Sequence, residues 1–352
     1  MTESTINNRD DLISYLQAAM VLEHATIPPY LTAYYSIRST TNSDAAHIIR
    51  VVAVEEMLHL TLVANVLNAI GGKPDLTRPG FVPSYPAYLP DGEDDFTVDL
   101  QPFSPEAVET FCKIERPGEA PSAGSRLVKT PDGGTDLLVS SPTTEGMRFY
   151  SIGEFYAEIV EGLEKVAAVD PGLFRGSPDL QVGSEYFYSG GGDVVVVSDL
   201  DSACRALRFI ADQGEGLDSG IYDGDGELSH YYRFRQLQLG RYYQVGDAPD
   251  SPSGPPLGIS WDDVHKVKVS ARLADYPEGS ELAGVARKFN ADYAAFLALL
   301  TKAFTGQPCL LQDAVCDMFR LRDGFNRLVR NPLPGSDGLH AAPTFEIPAV
   351  TP

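Results

Sequence analysis

The sequence has little positive charge, with 27 Lys and Arg residues against 49 Asp and Glu residues and a formal net charge of -22. Long-range repulsion of phosphates therefore argues against nucleic acid as a partner. No apolar run approaches the roughly 18 residues that a membrane span needs. Met1–Asp11 is polar and acidic, without the basic start and apolar stretch of a signal peptide. We expect a soluble, cytoplasmic protein with no membrane or nucleic-acid partner.

Cysteine is also scarce, and the four residues Cys112, Cys204, Cys309 and Cys316 show no C-x-x-C spacing. This absence disfavours an iron–sulfur or copper(I) site, which needs clustered thiolates. We expect small buried thiols. The glycines Gly190–Gly192 lack the spacing of a phosphate-binding loop, and no nucleophile elbow is present.

Helical periodicity is the main secondary-structure signal in the sequence. Apolar residues recur at helical spacing in four long segments, at 10–37, 43–70, 148–168 and 226–242, which predict a bundle within a single elaborated domain over residues 1–352. Pro28 and Pro29 predict a kink or local unwinding in the first segment. Between the second and third lies an insertion, 73–147, with a short helix near 104–114 and a short strand near 135–140. A short helix is expected at 200–213, β-like runs at 184–197, and C-terminal helices at 281–304 and 308–330.

Two copies of Glu-x-x-His stand out, at Glu56–His59 and Glu227–His230. Each lies in a helix-like segment, and each is preceded by another helix-like segment with a candidate lone glutamate. This order matches the ligand set of a carboxylate-bridged two-metal site inside a four-helix bundle.

Helix geometry separates these glutamates from solvated ones. Glu56 lies in the apolar stripe of its helix, with His59 one step to the side, while Glu55 lies nearer the stripe's edge and is interpreted as a non-ligand. Glu23 lies in the apolar stripe of the first helix. Glu227 and His230 share a face with aromatic and aliphatic residues. A carboxylate in an apolar stripe is costly to bury unless it is neutralised, paired or bound to metal.

The third bundle helix gives the weakest signal. Glu154 and Glu158 lie on the face opposite its apolar stripe, which on its own indicates exposure. The bundle nevertheless needs a ligand from this helix, so we choose Glu154, with Glu158 in reserve. The predicted metal ligands are Glu23, Glu56, His59, Glu154, Glu227 and His230. Two histidines and four carboxylates suit two iron ions, with manganese or zinc as alternatives.

Neighbouring residues are expected to support the site rather than bind metal. His24 points about 100° away from the ligand face of its helix, which favours a core or supporting role. Tyr30, Tyr156 and Tyr231 could be redox-active neighbours, but packing is the expected role of these aromatics.

Several segments, in order along nearly the whole chain, resemble the ferritin-like domain of the iminophenyl-pyruvate dimer synthase family of violacein- and rebeccamycin-type biosynthesis. They are Leu22–Tyr30, Glu55–His59, Ser151–Tyr156, Gln213–Gly216, Glu227–Phe234 and Ala342–Glu346. The resemblance implies a mainly α fold, a ferritin-like four-helix bundle with a long loop excursion between helices 2 and 3 and a C-terminal helical extension. It places Glu154 at the third-helix ligand position. Dimer synthases are much longer, so the resemblance covers only their ferritin-like portion.

Three functional hypotheses follow. The first is a non-haem di-iron oxidase or oxygenase acting with dioxygen or peroxide on a small organic molecule in secondary-metabolite biosynthesis, with no catalytic residues beyond the metal ligands. The second is a ferroxidase or peroxide-scavenging metal-handling protein. The third is a non-catalytic scaffold with a relict metal site. A deep apolar pocket that joins the metals to the surface would favour the first, and a homo-oligomer is left open.

Overall fold

The computed structural model describes residues 4–90, 96–118, 151–187, 191–216 and 220–347. Eight α-helices and no strand are present in these ranges, as expected for a mainly α fold. The helices are α1 (Arg9–Ser36), α2 (Ser43–Ala69), α3 (Pro105–Ile114), α4 (Ile152–Val169), α5 (Leu200–Glu215), α6 (His230–Leu239), α7 (Glu281–Ala303) and α8 (Leu310–Val329).

The helices pack as four pairs, and two of these pairs form the bundle. Helices α1 and α2 pack along each other, as do α4 and α5, and contacts of α1 with α4 and of α2 with α5 close a four-helix ring. The fourth bundle helix is therefore α5, which the sequence predicted only as a short helix. The segment predicted at 226–242 is the shorter α6, which packs mainly against α3 and also contacts α2 and α5.

Helix α1 continues through Pro28 and Pro29, so the local unwinding that the sequence allowed there is absent, and a kink at this point stays a prediction. The missing N–H of Pro29 leaves the carbonyl of Ala25 without its helical partner. The Tyr85 hydroxyl donates a hydrogen bond of 2.8 Å to that carbonyl. A side chain from the insertion thus replaces a lost backbone hydrogen bond, and α1 stays helical beside the bundle core.

Other predicted elements divide into those observed and those outside the described ranges. The short helix near 104–114 is α3, whose N-cap Ser104 accepts a hydrogen bond from the Ala107 N–H. The two C-terminal helices are α7 and α8, and they pack against each other. The strand predicted at 135–140 lies outside the described residues. Of the β-like segment 184–197, the described part contains no strand.

The four cysteines divide into two buried and two exposed residues. Cys112 and Cys204 are buried free thiols, but Cys309, the N-cap residue of α8, and Cys316, on the solvent side of α8, are exposed. Within the described residues, no helix has both the length and the apolar character needed to cross a bilayer.

The end of α2 is fixed by a close backbone approach at Gly176. Its N–H donates to the Ala69 carbonyl at 2.9 Å. A Cβ atom at this position would lie 1.8 Å from the Asn68 carbonyl oxygen, which belongs to the backbone and cannot rotate away. The Asn68 side chain in turn donates to the carbonyls of Leu180 and Phe304. The loop after α4 and the end of α7 are thus tied to the helix that carries Glu56 and His59.

We expect Gly176→Ala to lower the free energy of unfolding by about 2 kcal/mol or more, because the loop must move away from α2. Gly172→Ala, four residues earlier, places its Cβ at an ordinary 3.4 Å from the Asp170 side chain. It should change the stability by less than about 1 kcal/mol. Urea unfolding of the two variants tests this, and equal effects would contradict the close approach.

Candidate metal centre

Five buried side chains form two overlapping groups of potential metal ligands. Glu23 of α1 joins Glu56 and His59 of α2 in the first group, and Glu56, Glu115 and His230 form the second. The ligand atoms within each group all lie within 4.8 Å of one another. Because Glu56 belongs to both groups, the arrangement is two adjacent three-ligand sites that share one carboxylate.

The two histidines face this shared carboxylate through the same ring nitrogen. His59 Nδ1 lies 3.2 Å from Glu23 Oε2 and 3.7 Å from Glu56 Oε1. His230 Nδ1 lies 2.9 Å from Glu56 Oε1 and 3.5 Å from Glu115 Oε2. The two rings are stacked with centroids 5.3 Å apart. The two imidazoles and three carboxylates therefore converge on one small volume.

The other nitrogen of each histidine is occupied by a supporting residue. His59 Nε2 lies 2.9 Å from Gln213 Oε1, and the Gln213 amide is oriented by its donation to the Gly191 carbonyl. His230 Nε2 lies 3.0 Å from Glu55 Oε2, and Arg233 holds that carboxylate with contacts of 2.7 and 3.0 Å. An acceptor at Nε2 favours the tautomer with its proton there, which leaves the Nδ1 lone pair directed at the site.

Each carboxylate is oriented by a hydroxyl group. Tyr156 donates to Glu23 Oε1, Tyr30 donates to Glu115 Oε1, and Thr26 donates to Glu56 Oε2 at 3.0 Å. In all three glutamates, the second oxygen is the one that faces a histidine. Tyr30 and Tyr156, which the sequence favoured as packing aromatics, thus bind the candidate ligands directly.

Burial and crowding shift the acid–base equilibria of the cluster. Burial raises the pKa of Glu56 to about 7, with a further rise from Glu115 and Glu23 and an opposing effect of His230 and His59. Burial alone would lower the pKa of His230, but Glu115, Glu55 and Glu56 outweigh it and raise that pKa well above its ordinary value. The pKa of His59 is raised in the same way, because Glu23 and Glu56 outweigh burial. Without metal, protons on these groups offset the buried negative charge.

The structure brings together four of the six predicted ligands, Glu23, Glu56, His59 and His230, and places Glu227 elsewhere. The Glu227 side chain is 66% exposed and pairs with Arg233 at 2.7 Å. The prediction assumed one helix through Glu227 and His230. Instead, Asp223 accepts hydrogen bonds from the backbone N–H groups of Asp225 and Glu227, which closes a turn, and α6 begins only at His230.

The two glutamates considered on the third bundle helix also lie outside both groups. Glu154 is half-buried in the first turn of α4, near Gly118 and Ser151. The reserve candidate Glu158 accepts hydrogen bonds from Ser4 and Thr5 at 2.8 to 3.0 Å, so it fixes the N-terminal segment. What α4 contributes to the centre is Tyr156, because the apolar face of the helix points inward and its glutamates lie to the side.

Glu115 takes part in the second group, and the sequence analysis missed it. It follows α3 directly as the C-cap residue and is buried. A usable signal was present, because Glu115 continues the apolar stripe of Val108 and Phe111 at helical spacing. The same test that selected Glu56 would have selected Glu115, had it been applied to the short helix in the insertion.

Comparison with known proteins places this geometry in a family. The family model for ferritin-like proteins matches residues 16–239, which include all five side chains of the centre. The chain belongs to the ferritin-like family. A solved ferritin-like protein from Caulobacter vibrioides has a TM-score of 0.59 with 24% identity, covering 95% of this chain and 97% of that one. This second likeness supports the fold alone.

Two curated relatives confirm the resemblance to the dimer synthase family. Dichlorochromopyrrolate synthase from Lentzea aerocolonigenes is 28% identical over 399 aligned positions, covering 97% of this chain and 36% of that protein. The 2-imino-3-(indol-3-yl)propanoate dimerase from Chromobacterium violaceum is 28% identical over 219 positions, covering 58% of this chain and 18% of the relative. The ferritin-like chain thus spans about a third of the first relative and about a fifth of the second.

We expect Glu115→Gln and Glu227→Gln to differ sharply in metal content. The first substitution removes a charged oxygen ligand from the second group and should reduce bound metal from about two ions to about one per chain. The second alters an exposed residue outside the centre and should leave the metal content unchanged. Elemental analysis of the two purified variants tests this. Loss of metal from Glu227→Gln with retention in Glu115→Gln would restore the ligand set predicted from sequence.

The metal-free protein should be more stable at about pH 6 than at about pH 8. The folded-state pKa values of Glu56, His59 and His230 are raised, so each protonated group contributes stability that is lost as pH rises through its folded pKa. For Glu56, that window runs from 4.5 to about 7. Thermal unfolding in the presence of a chelator should show that the free energy of unfolding decreases by on the order of 2 kcal/mol from about pH 6 to about pH 8. Glu56→Gln should flatten the dependence, and stability that increases with pH in the wild type would contradict the charge balance.

Proposed function

We propose that this ferritin-like protein is a non-haem di-iron oxidoreductase that uses dioxygen to oxidise a small organic molecule in secondary-metabolite biosynthesis. The observation that carries the proposal is the pair of buried three-ligand groups that share Glu56. The two relatives support a biosynthetic role, since they are named as a synthase and a dimerase.

The donor set fits two divalent metal ions of intermediate hardness. Three carboxylates and two imidazoles provide oxygen and nitrogen ligands, the kind that iron and manganese accept. The nearby thiol of Cys112 is not part of either group, and burial raises its pKa to about 12, so it stays protonated. His230 Nδ1 is buried among carboxylates and lies 2.9 Å from Glu56 Oε1, a contact that is attractive only while the imidazole is protonated. Such a buried nitrogen is satisfied if it binds a metal ion.

Iron is the metal we propose, because it can supply electrons to dioxygen. Manganese and zinc suit the same ligands and are the alternatives. Glu56 would contact both ions, Glu23 and His59 would hold one, and Glu115 and His230 would hold the other. The residues around them keep the ligands in place before metal binds. Gln213 and Glu55 fix the histidine rings, and three hydroxyl groups fix the carboxylates.

Water is excluded from the centre by the packing around it. Phe111 and Phe234 lie against Tyr30, with ring centroids 4.7 and 5.1 Å away, and all three side chains are buried. A dry, low-dielectric environment strengthens the electrostatic interactions of bound ions and limits side reactions with solvent. The aromatic wall on the Glu115 side therefore suits oxidation chemistry better than the free exchange of iron with solvent.

Anaerobic loading of the metal-free protein with ferrous iron, followed by dioxygen, tests the proposal. We expect about two iron ions per chain and oxygen uptake that ends when these are oxidised. His230→Ala should lose both properties while remaining folded, and Glu227→Gln should keep them. Continued oxidation of excess iron, with ferric iron accumulating beyond two ions per chain, would favour the metal-handling alternative. A folded protein that retains no iron would leave only the scaffold alternative.

A further inference from the structure

The carboxylate of Glu215, at the C-terminal end of α5, joins two segments that are distant from each other in the chain. Its Oε2 accepts a hydrogen bond of 3.1 Å from the Gly118 N–H, and its Oε1 accepts one of 2.5 Å from the Gly153 N–H. The Ser151 hydroxyl donates a third hydrogen bond. Burial raises the pKa of Glu215, and the three hydrogen bonds oppose this rise by stabilising the carboxylate. One side chain thus connects the segment after α3 with the first turn of α4.

Both backbone donors are glycines, and each position is too crowded for a Cβ atom. A Cβ atom at Gly118 would lie 2.8 Å from Ser151 Oγ, and one at Gly153 would lie 2.6 Å from Glu215 Cδ. Gly153 is part of α4, where alanine would be favoured over glycine by as much as about 1 kcal/mol. The close approach of the Glu215 carboxylate therefore gives a physical reason for a glycine in the first turn of α4.

On the α3 side, the residue that Glu215 holds lies close to a candidate metal ligand. Gly118 follows Glu115, a member of the second ligand group, by three positions. Glu115 is the C-cap residue of α3, so helical hydrogen bonds no longer fix the chain beyond it. Its carboxylate lies beside the last turn of α5, because a Cβ atom at Gly214 would be 3.6 Å from Glu115 Oε2. The hydrogen bond at Gly118 therefore fixes the chain on the far side of this ligand.

On the α4 and α5 sides, the same contact lies within one turn of two residues that support the first ligand group. Tyr156, which donates to Glu23, follows Gly153 by three positions on α4. Gln213, in the last turn of α5, lies 2.9 Å from His59 Nε2. Three helix ends thus meet at one carboxylate, and the residues next to each end contact or belong to the metal centre.

We propose that Glu215 is a positioning residue of the metal centre, which holds the ends of α3, α4 and α5 at the separation that both ligand groups require. A carboxylate suits this role because each of its two oxygens accepts one backbone N–H. A glutamine of the same shape would offer one oxygen and turn its NH₂ group towards the other donor. The inference rests on the proposed metal centre, but Glu215 itself belongs to neither ligand group.

Equilibrium dialysis of the full-length, metal-free protein against ferrous iron, without dioxygen, tests the proposal. We expect the wild type to bind about two ions per chain. Glu215→Gln should bind at least one of them roughly tenfold or more weakly, because the glutamine keeps only one of the two backbone hydrogen bonds and the helix ends can move apart. Two ions bound by Glu215→Gln with wild-type affinity would overturn the proposal and leave the metal centre intact. A wild type that binds no iron would overturn the proposed function, and this inference with it.

Glu158→Gln is the matched control. Glu158 lies on α4, belongs to neither ligand group and accepts three hydrogen bonds, from the Ser4 hydroxyl and from the N–H and hydroxyl of Thr5. This variant should leave both iron affinities unchanged, and urea unfolding of the two variants separates a loss of stability from a loss of metal affinity. An equal loss of affinity in Glu158→Gln would overturn the proposal, because iron binding would then follow the general stability of the bundle.

Gly153→Ala tests the same contact from the other side and leaves the carboxylate in the chain. Its methyl group should displace the end of the Glu215 side chain, which can rotate, while alanine favours the helical conformation of α4. We expect iron binding to weaken about as much as in Glu215→Gln. The double variant should bind iron no more weakly than Glu215→Gln alone, because both changes break one contact. Wild-type affinity in Gly153→Ala, or fully additive losses in the double variant, would contradict a positioning role for this contact.

Discussion

The mutual repulsion of three buried carboxylates is the constraint around which this protein is organised. Glu23, Glu56 and Glu115 converge where water is excluded, and such a cluster is unfavourable without compensating charge. Two histidines provide that compensation in the absence of metal, which is why their pKa values are raised despite burial. Two divalent ions would replace those protons. If the centre holds metal as proposed, metal binding and folding are coupled there.

The constraint explains the parts of the fold that a simple four-helix bundle does not need. The bundle of α1, α2, α4 and α5 supplies only Glu23, Glu56 and His59 to the centre. Glu115 and His230 come from the paired helices α3 and α6, one inside the insertion and one after the bundle. Buried hydroxyl, amide and guanidinium groups then orient the ligands, so that the site is formed before any ion binds. Helices α3 and α6, which are additions to the four-helix bundle, thus complete the candidate site.

Periodicity in the sequence predicted most of the helices and four of the residues that the structure brings together. The apolar stripe predicted Glu23 and Glu56 because both helices are long and regular, so a carboxylate in the apolar face must be buried. It failed for Glu227 because a turn closed by Asp223 delays the start of α6, and the assumed i, i+3 relation on one helix does not exist there. The choice of α6 as a bundle helix failed for a related reason. Which helices pack together depends on long-range contacts, and α5 carries no predicted ligand to reveal its place.

The supporting residues were harder to predict, because their roles depend on pairs distant in the chain. Glu55 was assigned as a non-ligand from its position at the edge of the stripe, but the sequence did not indicate that it would hold His230 and Arg233. Gln213 lies 154 positions from His59, and no local pattern connects them. Tyrosine in an apolar face is ordinarily a packing residue, so its hydrogen bond to a buried carboxylate becomes visible only in three dimensions.

The most direct test of the account is an anomalous difference map, recorded at the iron absorption edge, from crystals of the protein loaded anaerobically with ferrous iron. We predict two peaks about 3.5–4 Å apart. One should lie among Glu23, Glu56 and His59, and the other among Glu56, Glu115 and His230. A map with its peaks at Glu154 or Glu227, or with no peak inside the buried cluster, would contradict the shared-carboxylate centre on which the proposed function rests.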